Sequence, residues 1–282
     1  MPVAVVTGGS RGIGLAIARE LASRGFDLAL GARTGSELGE AREAIAREFR
    51  VHCIAQETDV SDPGQAQALV DRAAAELRGL DALVNNAGVT GAIGPLQECD
   101  VREWRKAIEV NLLGTLHMTR AAIPHMRRQG GGRIVNLAGG GVGGAGVAPR
   151  ISAYAASKAA VVQFTECVAR EVEADGIFVN VISPGAVVTA MTAGVLAAGP
   201  EKAGRELYER TLQQRQSGGE PVELAARLVA WLLSAAAKGL TGKMLSAKWD
   251  DVSRIDVEAA NRSSSYTLRR IDGALFQEVG RK

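Results

Sequence analysis

The stretch Val3-Ala4-Val5-Val6-Thr7-Gly8-Gly9-Ser10-Arg11-Gly12-Ile13-Gly14 decides the fold. Residues 2–7 are a short β-branched run that reads as a strand, the glycines read as a tight turn, and Leu15, Ile17, Ala18 and Leu21 then recur at helical spacing. Strand, glycine turn and helix in that order bring bare backbone close to a ligand, and the free N–H groups that open the helix favour a phosphate. A mere tight turn would use glycine too. The continuation separates the two readings: Asp27-Leu28-Ala29-Leu30-Gly31-Ala32-Arg33 reads as a second strand, as a nucleotide-binding unit requires. Gly8, Ser10, Arg11, Gly12, Ile13 and Gly14 are therefore candidates for holding a dinucleotide.

In such folds the end of the second strand meets the adenosine ribose, where an acid binds the 2′-hydroxyl and an arginine accepts a 2′-phosphate. Here that end is Gly31-Ala32-Arg33, without a carboxylate and with Arg11 as a second cation. The pattern points to NADP(H), with NAD(H) possible; the alternative is that Arg33 is only a solvated surface charge.

Further out, residues 36–49 have an amphipathic helical pattern and residues 51–57 form a third strand. It ends in Thr58-Asp59-Val60, placed to face the adenine or simply to turn. Asp62 and Pro63 start a helix to about residue 77, an acid at the N-cap and proline in the first turn. Residues 80–84 are a fourth strand, and the side-chain amides and glycine of Asn85-Asn86-Ala87-Gly88 suit the crevice at the strand ends. The helical stretch 101–126 carries Asn111 in its interior, where the amide competes for backbone groups and either permits a local kink or is tolerated. A fifth strand, 133–137, runs into the glycine-dense residues 138–146. A helix over 152–173 and a sixth strand over 177–182, ending in Ser183-Pro184-Gly185, follow.

Strands alternating with helices predict an α/β fold, a Rossmann-like doubly wound parallel sheet with right-handed crossovers and helices on both faces. Residues 1–247 form one domain in this reading, with a lid at 190–219 that is rich in Glu, Arg and Gln and broken by Gly194, Gly199 and Gly204. A helix over 222–235 and a short last strand over 243–247 complete it. The C-terminal extension, 248–282, is expected to cover the substrate pocket or a subunit neighbour, or to pack as a plain surface segment.

Bulk composition narrows the class. The chain has 282 residues, 46% hydrophobic and 23% charged, ordinary for a globular protein. A net charge of +2 suggests neither nucleic acid nor an anionic membrane as a partner. No apolar run approaches the ~20 residues that span a bilayer. Cys53, Cys99 and Cys167 are widely spaced and form no metal-ligand pattern, and with no signal peptide evident the expected location is cytoplasmic.

Tyr154-Ala155-Ala156-Ser157-Lys158 is the one pair of groups that reads as chemistry rather than packing. Four residues apart on a helix, the tyrosine and lysine share a face. A free phenol titrates near ~10, and an ammonium ~4 Å away at a dielectric of ~20 is worth ~4 kcal/mol, or ~3 pKa units. A phenol drawn toward neutrality can exchange a proton with an alcohol oxygen. An exposed amphipathic helix would show the same spacing.

Taken together, residues 2–247 resemble the short-chain dehydrogenase/reductase family of compact single-domain type. Thr7 to Gly14 is similar to its T-G-x-x-x-G-x-G cofactor turn, Asn85-Asn86-Ala87-Gly88 to its N-N-A-G, and Pro184-Gly185-Ala186-Val187-Val188-Thr189 to its P-G-x-x-x-T stretch beside the nicotinamide and pyrophosphate. Asn111, Tyr154 and Lys158 fall at its catalytic positions. The resemblance implies hydride transfer between NADPH and a small-molecule carbonyl or secondary alcohol, with Tyr154 as general acid or base. Lys158 would lower the tyrosine pKa and bind the nicotinamide ribose, and Asn111 would hold a water that relays protons. It implies a homodimer or homotetramer as well.

Two departures stand out. The family's carbonyl-orienting serine is expected just after the fifth strand, where this chain reads Asn136-Leu137-Ala138-Gly139-Gly140 without a hydroxyl. Ser152, otherwise a helix N-cap, and a backbone N–H such as that of Gly140 are the substitutes. In place of a V-D-G-G-like close, the chain reads Gly239 to Ala247 and continues through Lys248-Trp249-Asp250-Asp251 to Ser265-Tyr266-Thr267-Leu268-Arg269-Arg270. The missing hydroxyl also fits a second function, a nucleotide-binding sensor or scaffold of the same fold with weak or no catalysis. A sugar-nucleotide epimerase or dehydratase shares the tyrosine and lysine, but the chain length and the glycine turn argue against it.

Overall fold

A strand with no polar group to expose can be buried on both faces, and the first strand of the chain is. In the computed structural model, which describes residues 1–139, 141–143 and 149–268, β1 (Val3–Thr7) is buried along its whole length. It pairs in parallel with β2 (Asp27–Ala32) and β4 (Ala82–Asn85), Val5 lying opposite Ala29 on one side and Leu83 on the other. The sheet is completed by β3 (Cys53–Glu57), β5 (Gly132–Leu137), β6 (Ile177–Ser183) and β7 (Met244–Ser246) in the order β3-β2-β1-β4-β5-β6-β7, every pair parallel. An all-parallel sheet needs cover on both faces, and the helices supply it.

The helices follow the strands in turn. α1 (Gly12–Ser23), α2 (Gly35–Phe49) and α3 (Pro63–Glu76) come first, then α4 (Val101–Ile108), α5 (Gly114–Arg128) and α6 (Ser152–Val172). α7 (Ala190–Ala203), α8 (Arg205–Gln216), α9 (Val222–Leu232) and α10 (Val257–Arg262) follow. The period-2 alternation of the strands sorts side chains between two cores. Ala4, Val6, Leu28 and Leu30 pack with Ile17 and Leu21 of α1, Leu38 of α2 and Leu228 of α9. Val5, Ala29 and Leu83 pack on the opposite face with Leu69 of α3, Met118 of α5 and Val168 of α6.

Local chemistry sets several boundaries. Asp62 caps α3 as expected, accepting the Gly64 and Gln65 N–H groups at 2.7 and 3.0 Å. β4 starts later than the sequence suggests because Leu80 is held by Gln129 instead of the ladder, its N–H donating to Oε1 at 3.1 Å and its carbonyl accepting from Nε2 at 2.7 Å. The stretch 101–126 is interrupted by a π-helical turn, Glu109–Leu113, with Asn111 at its centre, so the amide does mark a local break. Lid helices α7 and α8 part at Gly204, and α7 kinks at Gly199 (φ 76°); Gly194 stays helical. An antiparallel bridge from Val187 to Gly219, with the Glu220 N–H donating to Ala186 at 3.0 Å, ties the two ends of the lid together.

The segment after β7 runs along the sheet's last strand. The Met244 N–H donates to the Tyr266 carbonyl at 2.7 Å, Lys243 Nζ to the Ser263 carbonyl at 2.9 Å, and the Leu268 N–H to Glu166 Oε1 on α6 at 2.9 Å. It covers a sheet edge that would otherwise offer unpaired backbone. Arg269 and Arg270 lie outside the described residues.

Candidate active site

The cleft opens at the carboxyl ends of the strands, where open parallel sheets bind ligands, and encloses ≈ 860 Å³. Its nucleotide end is made by the turn after β1. The Gly8 N–H donates to the Gly31 carbonyl at 2.7 Å, which ties the turn to β2. Thr7 Oγ1 accepts the Asn86 and Ala87 N–H groups at 3.0 and 3.1 Å, and Asn86 Nδ2 donates to the Thr7 and Gly8 carbonyls at 2.9 and 3.1 Å, which ties it to β4. A Cβ on Gly14 would lie 2.1 Å from the Gly8 carbonyl oxygen, so only glycine closes the turn. At Gly12 (φ 56°) a Cβ would meet nothing within 4 Å. α1 begins there with no side-chain cap and no acid in its first turn. Bare N–H groups facing open space are what a pyrophosphate needs, and the residues present fit the cofactor.

Every expected cofactor residue lines this one cleft: Gly8 to Gly14 without Gly9, then Arg33, Asp59 and Val60, then Asn86, Ala87 and Gly88, and finally Pro184, Gly185, Val187 and Thr189 beside Tyr154 and Lys158. The two cations differ. Arg11 pairs with Glu37 at 3.0 Å, while Arg33 is exposed and makes no ion pair among the described residues. Asp59 is engaged by the turn it makes, accepting Ser61 N–H and Oγ–H at 2.9 and 2.6 Å. Thr189 caps α7, its Oγ1 accepting the Met191 N–H at 3.2 Å.

At the other end α6 carries Tyr154 and Lys158 into the cleft. Lys158 Nζ donates to the Leu137 carbonyl at 2.8 Å, and burial pushes its pKa down to about 8. Burial acts on the phenol in the other sense and raises Tyr154 to about 12. Desolvation of the hydroxyl dominates in this geometry, against the expected pull of Lys158 toward neutrality. The hydroxyl lies against Gly139, where a Cβ would be 2.4 Å from Oη.

Asn111 does not line the cleft; it is fully buried behind it. Its Oδ1 accepts the Val89 N–H at 2.8 Å, and its Nδ2 donates to the Val89 carbonyl at 2.9 Å and to Ser157 Oγ at 2.8 Å. Ser157 Oγ donates in turn to the Tyr154 carbonyl at 2.8 Å. The chain of bonds from the loop after β4 through the π turn to α6 fixes the tyrosine's own backbone. Sequence reasoning quoted Ser157 but assigned it nothing; a serine in mid-helix, poised to bond back to the preceding turn, was the available signal.

Ser152 is neither cap nor donor to the cleft. α6 has no side-chain cap, and Ser152 Oγ accepts Trp104 Nε1–H at 3.1 Å on an exposed surface. Gly140 lies outside the described residues. The lid contributes Met191, Val195, Leu207 and Arg210, which sequence reasoning also missed, because only the packed lid shows which of its faces looks inward.

Comparison with known proteins bears on the family and the fold. The model of the family described as short chain dehydrogenase matches residues 2–198. A cis-4-hydroxycyclohexanecarboxylate dehydrogenase of Sinomonas cyclohexanicum is 38% identical over 251 residues, which cover 86% of this chain and 94% of that protein. NAD⁺-bound xylitol dehydrogenase superposes with a TM-score of 0.79 at 27% identity, over 87% of this chain and 96% of its own. A variant of actinorhodin polyketide ketoreductase with NADPH gives 0.77 at 32% identity, over 87% and 95%.

Proposed function

The chain belongs to the short-chain dehydrogenase family, and we propose that it transfers a hydride between NADP(H) and a carbonyl or secondary alcohol, with Tyr154 moving the proton. The observation that carries this reading is the meeting of Tyr154 and Lys158 in the same cleft as an uncapped helix N-terminus and Arg33, which has no ion pair among the described residues. The turn at Gly12 holds the pyrophosphate, Arg33 the 2′-phosphate, Asp59 and Val60 the adenine side, and the residues from Pro184 to Thr189 the nicotinamide side. Bound there, the nicotinamide cofactor supplies or accepts the hydride.

Each residue then has a task. With its pKa raised to about 12, Tyr154 keeps its proton through neutral pH and suits the role of general acid in carbonyl reduction. Lys158, with a pKa of about 8, is mostly charged at neutral pH and stabilises the phenolate as the proton leaves. Asn111 and Ser157 hold α6 in position. Asn111 Oδ1 and Lys158 Nζ both lie beside Gly88, and a water between them would carry the proton relay. Where the family's carbonyl-orienting serine is expected, Gly139 stands instead, its Cα face occupied by the Tyr154 hydroxyl. Tyr154 is the donor this reading assigns to the carbonyl oxygen.

Tyr154→Phe tests the assignment. Removing the only proton donor in this scheme should lower kcat at least ~10²–10⁴-fold, while NADPH binding measured by nucleotide fluorescence stays within about twofold of wild type. Turnover unchanged in that variant would refute the role of Tyr154. Tight NADPH binding by the wild type with no turnover across a broad carbonyl and alcohol panel would favour the sensor or scaffold.

A further inference from the structure

We infer that the substrate of this site carries a carboxylate and that Arg210, on the lid, receives it; the inference rests on the oxidoreductase reading above. Leu207, Arg210, Thr211 and Gln214 present one face of α8 to the cleft. Leu207 shares an apolar cluster with Tyr154, Ile151 and Val195, so this face of α8 starts beside the Tyr154 side chain. Arg210 is three residues further along, roughly 4.5 Å of helix axis. A compact apolar body held by the cluster would place its far end at the guanidinium.

Charge bookkeeping singles out the same residue. Of the cations that line the cleft, Arg11 is paired with Glu37, Lys158 bonds to the Leu137 carbonyl, and Arg33 stands at the nucleotide end. The carboxylates of the lining, Glu37 and Asp59, are at the nucleotide end too. Elsewhere the chain readily makes helical pairs four residues apart, as in Arg24 with Glu20, Arg72 with Glu76 and Arg105 with Glu109. α8 offers the same partner in Glu206, in the favourable order with the acid N-terminal. That pair is not made, and among the described residues Arg210 has no ion pair or hydrogen bond while it lines the cleft. Arg210 is solvent-exposed along the cleft, and a guanidinium not engaged by Glu206 there is open to an anionic group, which it would hold by charge-assisted bonds.

The test uses two substrates with the same ring, 4-oxocyclohexanecarboxylate and its neutral methyl ester, with NADPH. Arg210→Gln should lower kcat/KM for the acid roughly 10- to 30-fold and for the ester less than about threefold, with Arg210→Lys recovering part of the loss. NADPH affinity should stay the same in both variants. Equal losses on acid and ester, or a wild type indifferent to the charge, would overturn the inference, and a parallel loss of NADPH affinity would assign Arg210 to the nucleotide instead. Calorimetry of cyclohexanecarboxylate binding to the enzyme–NADP⁺ complex separates the two levels. If no carbonyl compound is turned over, the oxidoreductase reading fails, while binding lost in Arg210→Gln still supports the carboxylate site and binding retained there refutes it.

Discussion

At the nucleotide end of the cleft the wall is largely backbone, whereas at the carbonyl end it is side chain. The turn from Gly8 to Gly14 is closed by main-chain bonds to β2 and by the Thr7 and Asn86 clasp, all on strands adjacent in the sheet. The carbonyl end combines Gly139 after β5, Tyr154 on α6, the π turn around Asn111 and the inner face of α8, elements far apart in the chain. A backbone wall recognises what every dinucleotide shares. A side-chain wall, assembled from distant pieces, is free to vary with substrate, and it depends on packing that a single added atom can upset.

The strongest way to break that contrast is to add such an atom. A Cβ at position 139 would lie 2.4 Å from Tyr154 Oη and 3.2 Å from Cζ, so the phenol must move. Gly139→Ser, which supplies the hydroxyl the family resemblance leads one to expect, should therefore lower kcat/KM about 10²-fold, the scale of a ~1 Å misplacement, with little change in NADPH affinity. A variant faster than wild type would mean that the tyrosine yields easily and that the carbonyl end is not sterically set.

The same contrast explains what was legible beforehand. The glycine turn, the Asp62 cap and the alternation of strands and helices follow from short-range patterns and were readable from residues 2–88 with few errors of boundary. Tyr154, Lys158 and Asn111, of which the first two line the cleft, were singled out by spacing and resemblance. The role of Ser157, the inward turn of Arg210 and the contact between Gly139 and Tyr154 were not, because each depends on how separate elements pack. Ser152 misled for the same reason: it stands one residue inside the helix, after Ile151 at the N-cap, and its hydroxyl accepts from Trp104.

Burial at the carbonyl end also makes a prediction about stability. Lys158 has a folded pKa of about 8 against an ordinary 10.5, so between those values the unfolded chain binds more protons and this group makes stability rise with pH. Its contribution approaches about 1.4 kcal/mol per pH unit. Tyr154 acts oppositely: its folded value, about 12, lies above the ordinary 10.0, so its contribution falls as pH rises through that window. Urea denaturation of Lys158→Met at a series of pH values should show the rise between about 8 and 10.5 removed relative to wild type. Parallel profiles for the two proteins would place the lysine in a wetter site than the structure gives it.

The smallest expected effects lie at the nucleotide end, where side chains only adjust a backbone site. Glu37 holds Arg11 at 3.0 Å and also accepts from Ser10 Oγ at 3.4 Å, so it competes with a 2′-phosphate for the second cation of the pair. Arg33 has no such competitor among the described residues. Arg33→Ala should raise the dissociation constant of NADPH about tenfold, one charge-assisted bond of ~1.5–3 kcal/mol partly replaced by solvent, and leave NADH nearly unchanged. Glu37→Gln should act in the opposite direction and more weakly, tightening NADPH about two- to fourfold by freeing Arg11, since the exposed pair it breaks is itself worth only ~0–1 kcal/mol. Both shifts are read by fluorescence titration against each nucleotide at fixed ionic strength. If Arg33→Ala weakens NADPH and NADH equally, the arginine contacts a part both nucleotides share. If Glu37→Gln instead weakens NADH, the carboxylate belongs to the ribose, and any preference for the phosphorylated cofactor rests on Arg33 alone.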